Sequence, residues 1–287
     1  MYASLMPDLI RVDSEPMESV AIASTAGFHG IDIRLNRFAE DVDEMGVEHL
    51  NAAMADAGLR PGYSSITPQK IAVSEDEWRE GMAGVPRRAR LAEQLGYTRA
   101  TTVVHTLSAE QGLDTEDAMP KTQKREGCDA LAPFGIAFGV EYVSPLSRRK
   151  NKPTIYLHTL AQTLELLDRV DRPNAGLMLD SFHWHCAEET EDDLAALDPA
   201  RIVAVHLNDL VPDRPVDEQI VTERLLPGES GIIDMDAFLR GLARCGYDGP
   251  LTCEPTHDRW RGMDPAVAAK QTFDSIRLCL EAAQAVQ

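Results

Sequence analysis

Along the chain, amphipathic helical stretches, a glycine and a short β-rich apolar run follow one another repeatedly. The glycines stand at Gly27, Gly58, Gly96, Gly135 and Gly246, where each would end a helix in the left-handed conformation that glycine adopts without strain. The runs after them are Gly30 to Arg34, Leu59 to Ile66, Ala100 to Thr106, Ile136 to Val143 and Leu251 to Glu254. Two more, Ala175 to Asp180 and Ile202 to Leu207, follow helical stretches near Leu160 to Val170 and Asp193 to Leu197, and a weaker one spans Tyr2 to Met6. Strict alternation of strands and helices predicts an α/β fold with a parallel sheet. Eight such units in 287 residues favour a closed (β/α)8 TIM barrel over an open doubly wound sheet. No G-x-G-x-x-G joins the first strand to its helix, and the Walker pattern is absent. With no linker and no break in composition, one barrel domain over residues 1–287 is expected.

Side chains alternate along a strand, so parity assigns each to a face. In the fifth strand Ile136, Phe138 and Val140 oppose Ala137, Gly139 and Glu141; in the sixth, Leu177 and Leu179 oppose Gly176, Met178 and Asp180. In the seventh, Val203 and Val205 oppose Ile202, Ala204 and His206; in the eighth, Leu251 and Cys253 oppose Thr252 and Glu254. The bulkier apolar sets suit the layer under the helices. Each of the other sets ends in a polar residue, which places Glu141, Asp180, His206 and Glu254 at the mouth of the barrel, where barrel active sites sit. Three converging carboxylates repel one another unless a cation joins them, so these four are expected to bind one divalent metal. Three oxygen donors and one imidazole suit Mn²⁺, which is favoured, or Mg²⁺, Co²⁺ or Zn²⁺.

Around this set stand further candidates. His183, three residues after Asp180, can turn back over the site, whereas His185 is balanced between packing and function. Arg224 precedes the Pro227-Gly228 turn, which can fix its guanidinium over the mouth. Arg34, at the end of the second strand, and His105, in the fourth, have inward-compatible positions but could equally serve rim ion pairs; Trp184 and Trp260 follow metal-site strands and could wall a pocket or simply pack. Asp209 reads first as a turn cap.

The net charge of −19 changes the picture of partners: a surface this acidic repels nucleic acid. Five cysteines without a C-x-x-C pair fit free thiols in a reducing compartment. The charged first 25 residues hold no signal-peptide core, and no stretch approaches the roughly 20 apolar residues of a membrane span, so a cytoplasmic protein without membrane contact is expected. The acidic run Glu188 to Asp193 reads as the solvated first turn of a helix.

Four segments carry a family resemblance: Gly139-Val140-Glu141, Gly176 to His183, Val205-His206-Leu207-Asn208-Asp209, and Gly246-Tyr247-Asp248-Gly249 leading to Glu254. In this order the chain resembles the sugar phosphate isomerase/epimerase superfamily with the xylose isomerase-like TIM barrel. The stretch Asp180 to His185, with Asp217-Glu218 and Arg224 to Asp234, is most similar to the 2-keto-myo-inositol isomerase (inosose isomerase) branch. The resemblance implies that Glu141, Asp180, His206 and Glu254 bind the metal, that Glu141 and Glu254 also serve as the catalytic acid/base pair, and that His183 and Arg224 contact substrate oxygens. His105 and Trp184 join them as candidate substrate contacts. The implied activity is isomerisation or epimerisation of a small polyhydroxy ketone or cyclitol through an enediolate, with a homo-oligomer left open.

Three other readings compete. A dehydratase of a keto-polyol would use the same metal and enediolate and expel a hydroxyl. A non-catalytic sugar-binding subunit would keep the pocket, but the complete set of ligands and bases argues against it. A metal-cluster DNA endonuclease on this barrel needs more histidines than the third strand and the stretch from His206 to His257 provide.

Overall fold

The computed structural model describes residues 1–71, 73–104, 119–150 and 157–285. Eight parallel strands form the barrel: β1 (Tyr2–Leu5), β2 (Gly30–Ile33), β3 (Arg60–Ser64), β4 (Arg99–Val104), β5 (Ala137–Glu141), β6 (Ala175–Asp180), β7 (Ile202–Leu207) and β8 (Pro250–Cys253). Each pairs with its neighbour in sequence, and β8 pairs with β1 through Tyr2 opposite Pro250, which closes the ring. A two-residue strand, Lys70–Ile71, adds to the edge of β4. All eight expected strands are present, and the five expected helix-stop glycines all have φ between 65° and 100°.

The helices form because their apolar positions recur at helical spacing and their ends are capped. Leu160–Val170 starts where the Thr159 hydroxyl accepts from the Gln162 N–H, and it buries Leu160, Thr163, Leu166, Leu167 and Val170 along one stripe. Burying each such leucine stabilises the fold by roughly 1.5 to 3 kcal/mol. The acidic run forms a first helical turn only from Glu191 to Asp193; Glu189, ahead of the helix, is half-buried and accepts from the Tyr142 hydroxyl and the Leu160 N–H. Thr190 and Asp193 cap the helix Glu191–Ala195 reciprocally, and Glu191 and Asp192 pair with Arg240 and Arg244 on the helix Met235–Cys245. No helix among the described residues is long and apolar enough to cross a membrane.

Strand parity holds in β5, β6 and β8 but fails at the start of β7. The β6–β7 register shifts by one residue after Leu177, so that Ile202 joins the core under the helices. Val203, expected on that outer face, lies instead inside the barrel: a Cβ added at Gly139 would come within 2.9 Å of its Cβ, and one added at Gly176 within 2.6 Å of its Cγ2. The two glycines leave the room that the bulged valine fills, and beyond the bulge the alternation resumes with His206 facing inward.

Inside the barrel the side chains stack in layers. Ser4, Asp32 and Thr252 form a buried polar layer, and Met6, Tyr63, Met178 and Ala204 make a small apolar cluster. The cluster of polar side chains from the ends of β5 to β8 lies at the mouth.

Candidate metal centre and active site

One ligand atom from each of Glu141, Asp180, His206 and Glu254 lies within 4.8 Å of the others. Glu141 closes β5; Asp180 and His206 lie opposite each other in register on β6 and β7; Glu254 follows β8. The local sequence fixes each in turn. Asp180 caps the short helix Ser181–Cys186 through Oδ1, which accepts from the N–H groups of Phe182 (2.7 Å) and His183 (3.3 Å), and this leaves Oδ2 turned to the mouth. Asn208 then joins two of the carboxylate positions: its Nδ2 donates to Asp180 Oδ2 (2.7 Å), and its Oδ1 accepts from the Glu254 N–H (3.1 Å).

Arg224 comes from the long loop after β7 and is almost wholly buried. Its Nη1 donates to Asp180 Oδ2 (2.8 Å) and Glu254 Oε2 (2.6 Å), while Nη2 stands 3.5 Å from His183 Nε2. Asp209 shapes this loop, as its reading as a turn cap implies. Its backbone forms an antiparallel bridge with Leu225, and its carboxylate accepts from the N–H groups of Ser230, Gly231 and Ile233. The residue next to Arg224 is thereby tied to the end of β7.

The charges in this site do not balance within the protein. Burial, then the charges of Asp180 and Glu254, pushes the Glu141 carboxyl far above the usual carboxylate range, and burial also raises Asp180. Burial works the same way on Glu254, but Arg224 and His206 outweigh it and hold this carboxyl low. Three ionised carboxylates against one guanidinium would leave two negative charges, which a divalent cation neutralises. Among the described residues, the buried Glu141 Oε1 and Arg224 Nε have no hydrogen-bond partner. Three carboxylate oxygens and an imidazole nitrogen, one of the oxygens orphaned, fit a hard or borderline divalent ion.

His183 is fully buried, and burial together with Arg224 depresses its pKa, so the ring is neutral. Its Nδ1 accepts from the Ser144 N–H (3.3 Å), which assigns the ring hydrogen to Nε2, the nitrogen facing Arg224. Two donors thus face each other at 3.5 Å.

The remaining candidates separate from the site. Trp184 packs into the helix layer, edge-on to Phe238 at 5.3 Å, with its indole N–H on the Thr190 carbonyl. It does not wall the pocket, because position 184 of the short helix faces outward. Trp260 is buried in the same core, and His185 is half-buried outside the four-residue cluster. Arg34 serves a rim ion pair with Asp8 and donates to Met6 Sδ. His105 lies outside the described residues. Asn208, two residues after His206 in the Val205 to Asp209 segment, joins the site through its contacts to Asp180 and Glu254, and its position in that segment is the only sequence signal for it. A wide groove of about 970 Å³ between residues 226–236 and the helix Pro265–Ala285 contains none of the four clustered residues.

The model of the xylose isomerase-like TIM barrel family matches residues 20–279. An inosose isomerase of Bacillus subtilis (strain 168) is 29% identical over 147 residues, 50% of this chain and 50% of that protein; the chain thus spans about half the length of the curated inosose isomerase it matches. A ketose 3-epimerase of Arthrobacter globiformis is 26% identical over 243 residues, 82% of this chain and 76% of the other. Among solved structures, a xylose isomerase domain protein from Alicyclobacillus acidocaldarius subsp. acidocaldarius superposes with a TM-score of 0.83 at 27% identity, covering 99% of both chains. With a closed parallel barrel, a polar cluster at its mouth and a family match over most of its length, the chain belongs to the xylose isomerase-like TIM barrel family.

Proposed function

We propose that the protein is a divalent-metal-dependent isomerase or epimerase of a ketose or inosose-like keto-cyclitol, working by proton transfer between Glu141 and Glu254. The observation that carries this reading is the convergence of Glu141, Asp180, His206 and Glu254, the first three buried, with an orphaned carboxylate oxygen among them. A divalent cation held by these four residues would polarise the carbonyl of an α-hydroxy ketone and offset the charge of its enediolate; Mn²⁺ is favoured, with Mg²⁺, Co²⁺ and Zn²⁺ as alternatives. The names of the inosose isomerase and ketose 3-epimerase relatives support a polyhydroxy ketone as the substrate class.

The residues divide the remaining work. Glu141 and Glu254 stand at the two ends of the arc formed by β5, β6, β7 and β8, so they reach a substrate between them from different sides. One removes the proton from the carbon next to the carbonyl. Return of a proton to the opposite face of that carbon gives the epimer, and delivery to the old carbonyl carbon moves the ketone along the ring or chain. The His183 Nε2–H and the Arg224 guanidinium hold a substrate oxygen between them, and Arg224 Nε offers a further donor.

Incubation in D₂O with Mn²⁺ and a panel of inososes and ketoses tests the reading. Deuterium should enter at the carbon beside the carbonyl, alongside isomerised or epimerised product. Net loss of water would move the assignment to a dehydratase. Absence of exchange, isomerisation and dehydration with all four cations would contradict it.

A further inference from the structure

His206 presents Nδ1 to the carboxylates, 3.3 Å from Glu254 Oε2 and 3.9 Å from Asp180 Oδ2, and turns Nε2 down into the barrel. There Nε2 meets the hydroxyl of Tyr63 at 2.7 Å. Tyr63 comes from β3, on the far side of the ring from β7, and is buried. Its hydroxyl has a second neighbour, Met6 Sδ at 3.6 Å.

The backbone of Tyr63 is held from behind. Asp32 on β2 accepts from the Tyr63 N–H (2.8 Å), from Ser4 Oγ on β1 (2.8 Å) and from Thr252 Oγ1 on β8 (2.6 Å). This arrangement requires Gly62, because a Cβ there would lie 1.9 Å from Asp32 Oδ1 and 2.5 Å from Ser4 Oγ. Four strands thus fix one hydroxyl beneath one imidazole.

We propose that Tyr63 is a positioning residue for the metal centre: it accepts the Nε2 hydrogen of His206 and so reserves the Nδ1 lone pair for a divalent cation. The proposal rests on the reading of Glu141, Asp180, His206 and Glu254 as a metal site. Its physical basis is that a neutral imidazole carries one hydrogen, so the partner of one nitrogen decides what the other can do. If Nδ1 carried the hydrogen, it would donate to Glu254 and could not ligate. With the hydrogen on Nε2, Tyr63 Oη accepts and turns its own hydrogen toward Met6 Sδ, which gives the phenol a partner in that state.

Proton–nitrogen spectroscopy of isotope-labelled protein loaded with Zn²⁺ identifies which ring nitrogen of His206 carries hydrogen. In the wild type it should be Nε2, protected from solvent exchange. In Tyr63→Phe the protection should vanish, and the affinity for Mn²⁺ or Zn²⁺ should fall about 10- to 100-fold, as for other partners of metal-ligating histidines. Hydrogen on Nδ1 in the loaded wild type would overturn the proposal, and that spectrum needs no variant to fold. A folded Tyr63→Phe that binds the ion within about twofold of wild type would overturn it while leaving the metal site intact. A wild type that takes up no divalent ion would remove the metal site, and the role of Tyr63 with it.

Discussion

Glu141→Gln should still fold and take up a divalent cation, yet turn over at least 10²- to 10⁴-fold more slowly, about the range that a general acid or base contributes. The amide keeps the shape of the carboxylate and one oxygen that can coordinate, but it can neither accept nor deliver a proton at neutral pH. Because Glu141 Oε1 has no hydrogen-bond partner among the described residues, the substitution breaks no contact there, and the loss should fall on kcat with little change in stability. Glu254→Gln should lose a similar factor and also raise KM, since Glu254 Oε2 holds Arg224 Nη1 at 2.6 Å and the proposed mechanism has this arginine bind a substrate oxygen. Paired measurements of kcat, KM and metal content separate these effects. A loss below about tenfold at both positions would rule out the two-glutamate proton transfer.

Arg224→Ala should cost stability as well as activity. The guanidinium lies between Asp180 and Glu254 with almost no solvent exposure, and removal of one member of a buried ion pair typically costs about 3 to 5 kcal/mol. The sign of the pH dependence follows from the carboxyl that Arg224 and His206 hold low. Glu254 contributes stability that is present above the ordinary carboxylate range and lost as pH falls through its depressed folded value. Without Arg224 its pKa moves up, and the folded state then favours the protonated carboxyls. The deficit of the metal-free variant against wild type should therefore be largest at neutral pH and shrink in acid. Added Mn²⁺ should narrow it, because the carboxylates without the guanidinium hold a cation more tightly and the ion then stabilises the variant by more than the wild type, while kcat/KM should stay low if Arg224 is the proposed substrate donor. Denaturant unfolding at several pH values, with and without Mn²⁺, checks this; equal stability of the metal-free proteins at neutral pH would contradict it.

The barrel was legible because its signals are local. A glycine at a helix end with an apolar run after it recurs five times, and three further runs complete the alternation with little need of long-range information, while the parity of β5, β6 and β8 follows from the alternation of side chains alone. The cluster of Glu141, Asp180, His206 and Glu254 was legible for the same reason, since four polar residues occupy equivalent ends of consecutive strands. What failed depended on contacts between distant segments. Val203 turned inward because Gly139 and Gly176, on two other strands, leave it room. Trp184 went to Phe238 because the short helix capped by Asp180 directs that position outward, which spacing does not reveal. Tyr63 and Asp32 make their contacts across the barrel, to residues on other strands that spacing along the chain does not bring together. Arg224 was expected over the mouth; the structure seats it between two carboxylates, a position set by the loop that Asp209 ties down.

Crystals of the protein soaked with Mn²⁺ and measured for anomalous scattering provide the most direct test of the central claim. One strong peak per chain should lie in the middle of Glu141, Asp180, His206 and Glu254, with all four side chains turned to it. A fully occupied site elsewhere, with these four side chains pointing apart, would contradict the claim.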